Sequence, residues 1–210
     1  LPVKLKNFYP FYFLAWTTTP WTLPSNTALT VGAKIEYSFV KTFNQYTKEK
    51  ITVLLAKNLI EKVFSKNFYK IYNENELDLF KQSNTEIPYF ILESFKGVDL
   101  ENLKYERIWE EAPLPLDNPE HAFRVILGDF VTTEDGTGIV HTAPTFGADD
   151  YKAAKSAIPE VPPLQVLDSK GNKVPLVDLK GKFIDNIGLI SGKYVKNEYY
   201  ESDSMPDKSV

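Results

Sequence analysis

Two stretches of this sequence carry residue types that could do chemistry together. The first runs Trp16-Thr-Thr-Thr-Pro-Trp-Thr-Leu-Pro-Ser-Asn-Thr-Ala28. Three consecutive threonines, Thr17, Thr18 and Thr19, stand ahead of Pro20 and Trp21, with Thr22 and Asn26 close behind. Adjacent hydroxyls on a proline-restrained backbone offer several donors and acceptors, able to orient one water and one ester oxygen. Threonine alone is a weak base, so the block points to positioning more than to covalent attack. Threonine, proline and asparagine are also ordinary turn residues, and an isolated Thr-Pro pair would be read only that way.

The second stretch runs Gly136-Thr-Gly-Ile-Val-His-Thr-Ala-Pro-Thr-Phe-Gly-Ala-Asp-Asp-Tyr151. Gly136, Gly138 and Gly147 let backbone approach a ligand closely. A carboxylate beside such an approach, Asp149 or Asp150, would bind the ammonium of an aminoacyl group. The plainer reading is a glycine-rich strand, a turn, and a helix whose early acids suit its positive end. A lone histidine at a strand end, His141 here, is more often structural than catalytic.

Other chemistries find little support. The chain has no nucleophile-elbow serine, no P-loop and no dinucleotide-binding glycine triplet. With two histidines, His121 and His141, and no cysteine, a zinc site is not expected, nor is any other metal or cofactor. A glycosidase-type carboxylate pair stays open, since nothing singles out two of the 28 acidic residues.

The elements that must position these blocks are short. Residues 9–16 read as a strand, and Pro20 and Pro24 forbid a regular helix or central strand over 17–27. Strand character resumes at 28–31. Ile35, Tyr37 and Phe39 alternate with polar neighbours like a half-buried strand, and 51–56 is a buried one. Leu59, Ile60, Val63 and Phe64 give 57–66 a helical apolar face, whereas 73–84 is a short helix or a loop. Strands are expected at 90–95 and 98–105 joined through Gly97, then an irregular proline-containing loop at 110–121. Two more strands, 123–126 and 138–141, precede a helix over 149–158 that stops at Pro159. A hairpin centred on 168–171 follows. The sum is an α+β, strand-rich domain over 1–201, a compact β-barrel-like sheet with a few peripheral helices. A disordered tail is expected at 202–210.

Bulk composition permits this without demanding it. The 210 residues are 43% hydrophobic and 25% charged, enough to bury a core, and 14 Phe, 12 Tyr and 14 Pro favour strands and turns. No cysteine means no disulfide, thiol nucleophile or thiolate site. No apolar run is long enough to cross a bilayer. A formal net charge of −4 implies no broad basic face, so any nucleic acid would be gripped mostly elsewhere. The chain opens on Leu1 rather than Met, and a piece of something longer is expected.

Taken together, the two blocks closely resemble the editing (connective peptide) domain of isoleucyl-tRNA synthetases. The related valyl and leucyl enzymes carry an arginine after the threonine pair, where this sequence has Thr19-Pro20-Trp21, and lack the run His-Thr-Ala-Pro around His141. The resemblance implies a β-barrel-rich domain inserted in a Rossmann-type catalytic domain that is not in this sequence. It implies a cytoplasmic, monomeric enzyme of protein biosynthesis, with no membrane association. The reaction is proofreading: hydrolysis of the ester joining valine to the 3′ end of isoleucine tRNA, with hydrolysis of valyl-adenylate as a second activity. A catalytically decayed tRNA-docking insert of the same synthetase is the alternative.

By the same resemblance, Thr17, Thr18 and Thr19 hold substrate and hydrolytic water, and Thr22 and Asn26 line the same site. Trp21 walls the pocket, His141 keeps isoleucine out, and Asp150, ahead of Asp149, binds the substrate's α-ammonium. Many bacterial members have a second histidine where this chain has Phe146; the Thr-Phe-Gly form resembles the eukaryotic-type branch. The isoleucine–valine problem of these synthetases is itself the standard illustration of why a second pocket is needed, one methylene being worth only about 1–3 kcal/mol.

Overall fold

β-Branched and aromatic side chains fit a pleated, half-buried surface best, and the runs that hold them form the strands of the computed structural model, which describes residues 3–196 and 199. The strands are β1 (Tyr12–Phe13), β2 (Ala28–Val31), β3 (Glu36–Phe43), β4 (Lys50–Ala56) and β5 (Phe68–Lys70). After them come β6 (Ile87–Lys96), β7 (Arg124–Leu127), β8 (Ile139–Thr142), β9 (Val166–Leu167) and β10 (Lys173–Val174). Two α-helices, α1 (Ile60–Val63) and α2 (Ala148–Ser156), and several 3-10 turns complete the α+β, strand-rich fold.

The chain forms two compact units, each assembled from separate stretches. One comprises Leu1–Thr17, Thr30–Leu103 and Val125–Val140; the other comprises Thr18–Leu29, Lys104–Arg124 and His141–Val210. A three-stranded sheet has the order β7-β2-β8.

The first unit is built on a sheet of order β1-β4-β3-β6-β5. β3 pairs antiparallel with both β4 and β6, whereas β1 and β5 lie parallel to β4 and β6. Tyr37, Ser38, Phe39 and Val40 are all fully buried, so the half-buried strand expected from their alternation is covered on both faces. Val40 belongs to a cluster with Val53, Leu55, Ile60, Phe64 and Tyr89. Phe39, pointing the other way, stacks on Phe8 at 4.3 Å and meets Phe11 and Phe95 edge-on. The sheet is open: it ends at β1 and β5, edges of two and three residues, instead of closing into the barrel the sequence suggested.

Three element expectations shift. The strand at 9–16 shrinks to Tyr12–Phe13, after which isolated bonds from Leu14 N–H to Leu54 O and Trp16 N–H to Ile139 O continue the pairing. The helix at 57–66 is a 3-10 turn and one α-turn, ending at Phe64 before Asn67, which holds a positive φ of 60°. The strand at 98–105 is replaced by a 3-10 turn, Gly97–Leu100, because Asp99 folds back to accept from the Lys96 N–H at 3.1 Å. The proposed tail at 202–210 lies outside the described residues.

The second unit has a core of Ala112, Leu164, Leu176, Val177, Phe183, Ile187 and Ile190. β9 and β10 form the expected hairpin, with Asp168 Oδ1 accepting from the Lys170 and Asn172 N–H groups at 2.8 Å each. Within the described residues, no helix is long and apolar enough to cross a membrane.

Tyr37 joins distant backbone of the first unit. Its hydroxyl donates to Gly138 O at 2.7 Å and accepts from the Gly32 N–H at 2.9 Å, and burial pushes its pKa up to about 12. Tyr37→Phe leaves one buried N–H and one buried carbonyl unpaired, so it should destabilise the chain by about 1–3 kcal/mol. Denaturant unfolding measures this; an unchanged midpoint would mean the hydroxyl contributes nothing.

Candidate active site

Pro20 opens a 3-10 helix, Pro20–Ser25, in the second unit, its missing N–H being one that a helix start leaves unpaired anyway. In 3-10 geometry side chains three residues apart eclipse, which brings Thr19 Oγ1 to 3.4 Å from Thr22 Oγ1. Thr22 turns its hydroxyl back to donate to Thr19 O at 2.8 Å. Asn26 caps the turn with its backbone N–H on Leu23 O, and its side chain points into buried space, 4% exposed.

His141 arrives from β8 between Thr22 and Asn26. Its Nε2 lies 2.9 Å from Thr22 Oγ1 and its Nδ1 lies 2.8 Å from Asn26 Nδ2. The surroundings fix every proton. Asn26 Oδ1 accepts from Tyr105 Oη at 2.5 Å, and Nδ2 also donates to Ala28 O at 2.8 Å, so Nδ2 is the donor toward His141. Nδ1 is therefore the acceptor and Nε2 carries the hydrogen, donating to Thr22, whose own hydrogen goes to Thr19 O. Burial lowers the His141 pKa to about 4. A neutral ring with both nitrogens engaged has no spare lone pair with which to act as a general base.

Asp150 stands in the first turn of α2, near its positive end. Oδ2 accepts from the Ala143 N–H at 2.8 Å, two residues past His141, while Oδ1 has no protein donor among the described residues. Burial raises the Asp150 pKa; the Ala143 N–H works against that rise and neighbouring Asp149 adds to it. Asp149 instead sits exposed beside Lys152, at 3.7 Å. Gly147 makes room for Asp150: a Cβ there would lie 2.8 Å from the carboxyl carbon. Gly136 and Gly138, by contrast, serve packing in the first unit. Both have positive φ, and a Cβ would strike Trp16 or Ala56 respectively.

Hydrogen bonds thus link Thr19, Thr22, Asn26 and His141, and Thr18, Trp21 and Asp150 lie in the same unit, whereas Thr17 falls in the first. Thr18 and Thr19 are exposed, and Thr22, Asn26 and His141 are buried. Trp21 meets Phe146 edge-on at 5.5 Å, and both lie against the unit's apolar core. A cleft of about 750 Å³ opens in the same unit, lined by Pro144, Thr145, Tyr151 and Lys155 among others. Thr145 and Tyr151 flank the turn that carries Asp150, but no member of the His141 network lines this cleft. Tyr105 is the residue that sequence reasoning passes over. It reaches Asn26 across 79 positions, with no motif around it to draw the eye.

The buried neutral ring has a measurable consequence. The unfolded chain protonates His141 near pH 6.5, the folded chain only near 4. The stability this holds is complete above pH 6.5 and is lost as pH falls toward 4, about 3 kcal/mol in all. Unfolding titrations of the chain and of His141→Gln between pH 4 and 7.5 should diverge by that amount, the unsubstituted chain losing more. Parallel curves would contradict a ring held neutral.

No family model matches the chain. Among curated proteins, it is 51% identical over 200 residues to the isoleucine–tRNA ligase of Cytophaga hutchinsonii, covering 95% of this chain and 17% of that protein. To the enzyme of the same name in Bacteroides fragilis it is 47% identical over 231 residues, covering 99% of this chain and 19% of that protein. The Picrophilus torridus isoleucine–tRNA ligase matches at 36% over 92% of this chain and 16% of its own length. Among solved structures, the editing domain of P. falciparum cytosolic leucyl-tRNA synthetase aligns with 66% of this chain and 43% of its own, at 16% identity and a TM-score of 0.47. That last likeness is too slight to argue from, and the chain spans less than a fifth of the length of the curated relatives named. Sequence shared along nearly the whole chain decides the matter: it belongs to the isoleucine–tRNA ligase family, matching one segment of its members.

Proposed function

We propose that this chain is the editing segment of an isoleucine–tRNA ligase and hydrolyses the ester of valine wrongly joined to isoleucine tRNA, with valyl-adenylate as a second substrate. The observation that carries the reading is the Asp150 carboxylate. It is held by one oxygen on the Ala143 N–H, has its other oxygen without a donor among the described residues, and stands nine residues from a histidine locked neutral. A half-buried carboxylate with a spare acceptor suits an α-ammonium, whose charge would offset the cost of keeping Asp150 ionised.

In this reading His141, fixed by Thr22 and Asn26, forms the wall that isoleucine's extra methylene overlaps, with Trp21 beside it. Thr17, Thr18 and Thr19 place the water and the ester. The water oxygen attacks the ester carbonyl carbon and the bond to the ribose oxygen breaks. One hydrogen of the water ends on the ribose oxygen and the other leaves with valine's carboxyl group. Rate comes from orientation and from hydrogen bonds to the developing oxyanion, with no covalent intermediate. The cleft beside the Asp150 turn has the volume of an ordinary ligand site and would receive the terminal nucleoside of the tRNA.

The partners proposed are the valine-carrying 3′ end of isoleucine tRNA and the rest of a monomeric cytoplasmic ligase, including its Rossmann-type catalytic domain. The net charge of −4 supports leaving most of the tRNA grip to those other parts. Phe146, in place of a second histidine, supports the eukaryotic-type branch. Residues 1–201 are proposed to work as one editing domain.

Two substitutions in a full-length ligase carrying this segment test the roles. Asp150→Ala should slow single-turnover deacylation of valyl-tRNA by about 100-fold or more, the worth of a buried charge-assisted contact. Undiminished deacylation would remove Asp150 from amine binding. If the unsubstituted protein itself fails to deacylate while still binding tRNA, the decayed docking insert is the better account. His141→Ala should open the pocket, so that correctly charged isoleucyl-tRNA is cleaved at a rate approaching that of valyl-tRNA. Full protection of the cognate ester would dispose of the gatekeeping role.

A further inference from the structure

We infer that Tyr105 is a positioning residue for substrate selection, setting through Asn26 the proton pattern and seat of His141; this rests on the editing function proposed above. The Tyr105 hydroxyl donates to Asn26 Oδ1 at 2.5 Å. From there the direction of donation is unbroken: Asn26 Nδ2 to His141 Nδ1, His141 Nε2 to Thr22 Oγ1, and Thr22 Oγ1 to Thr19 O. Every link has one donor and one acceptor. The series runs from a tyrosine outside both sequence blocks to a threonine of the first.

The ring is well anchored for this. Tyr105 N–H donates to Phe123 O at 3.1 Å, and Phe123 N–H donates to Thr27 O at 2.7 Å, which ties Tyr105 through Phe123 to the residue after Asn26. Its ring meets Phe123 edge-on at 6.5 Å. Burial raises the phenol's pKa well above 10, so the hydroxyl keeps its hydrogen at any working pH and is always the donor in this bond. Asn26 is buried, so no solvent donor stands ready to replace the phenol.

Removing that hydroxyl strips the Asn26 carbonyl of a buried donor. The amide is then held only from its nitrogen side, by Ala28 O and His141, with Thr142 O more distant at 3.5 Å. Rotation of the amide gives up the bond to Ala28 O but presents Oδ1 to His141 Nδ1, which favours the other tautomer and takes the hydrogen away from Thr22. A histidine that can change tautomer and shift is a softer wall. The selective loss should therefore fall on the rejection of isoleucine, not on hydrolysis itself.

Tyr105→Phe, which keeps the ring, tests this in two ways. In the full-length ligase, the ratio of valyl-tRNA to isoleucyl-tRNA deacylation rates should fall about five- to tenfold, the worth of one buried hydrogen bond. In an Asn26→Ala background the same change should leave the ratio as it is. A purely structural tyrosine would lower both rates together and leave the ratio alone. Independently of activity, the nitrogen-15 spectrum of the His141 ring in this chain should show a proton on Nε2 alone, and in Tyr105→Phe a several-fold larger Nδ1–H population. An unaltered His141 spectrum in a folded Tyr105→Phe chain overturns the inference. Absence of any deacylation by the unsubstituted ligase overturns the editing reading instead, and the spectrum still decides for or against Tyr105.

Discussion

An imidazole buried among neutral hydrogen-bonding groups must choose a single arrangement of its one proton, and at His141 that choice organises the second unit's polar interior. Asn26 supplies a donor on one side and Thr22 an acceptor on the other, so the ring is neutral, oriented and unable to turn over without breaking both bonds. Each partner comes from the proline-bounded turn at Pro20–Ser25 or the residue that ends it. The prolines thus do more than interrupt regular structure. They force a 3-10 turn whose period of three puts Thr19 and Thr22 side by side and leaves Asn26 aimed at the ring.

Asp150 shows the complementary case, a charge kept partly out of water. Desolvation disfavours the carboxylate, while the Ala143 N–H and the start of α2 favour it. The balance leaves one oxygen committed to the backbone and one without a donor among the described residues. Gly147 is the steric condition for this, since any side chain would occupy the space of the carboxyl group. Its backbone φ of −107° is open to all residues, so the demand for glycine there comes from Asp150 and not from the conformation. At Gly138 the opposite holds. A φ of +74° and the nearby Ala56 both exclude a side chain, for reasons of backbone and packing alone.

Much of this was legible in the sequence, because the informative residues lie in short contiguous strings. Thr19, Thr22 and Asn26 are linked by a local turn, and His141 and Asp150 by a strand end and a helix start. Strand positions β2, β4 and β8 follow from β-branched runs, and α2 from its acids and the proline that follows. What escaped was non-local or set by single side chains. The alternation at Tyr37 and Phe39 suggested that the opposite face would be wet, but Val40 on that face packs against Ile60 and Phe64 from later in the chain. The turn at Gly97–Leu100 depends on one aspartate folding back, which an apolar run of Val98, Leu100 and Leu103 conceals. Sheet closure was the weakest inference, since two edge strands of two and three residues carry almost no periodic signal. Tyr105 was unreadable for the same reason, its partner being set by pairing with Phe123 and not by spacing.

The interleaving of the two units bears on how the chain is made. The first unit draws its last residues from Val125–Val140, so all its stretches have been synthesised once Val140 has appeared. The second cannot be complete until His141 and the residues beyond it are added, although its first stretch, Thr18–Leu29, was made long before. During elongation Thr22, Asn26 and Tyr105 therefore exist without their histidine. A chain emerging from the ribosome thus holds all the residues of the β3–β4–β6 sheet before those of its polar centre, and a product ending before residue 141 would lack His141 and Asp150.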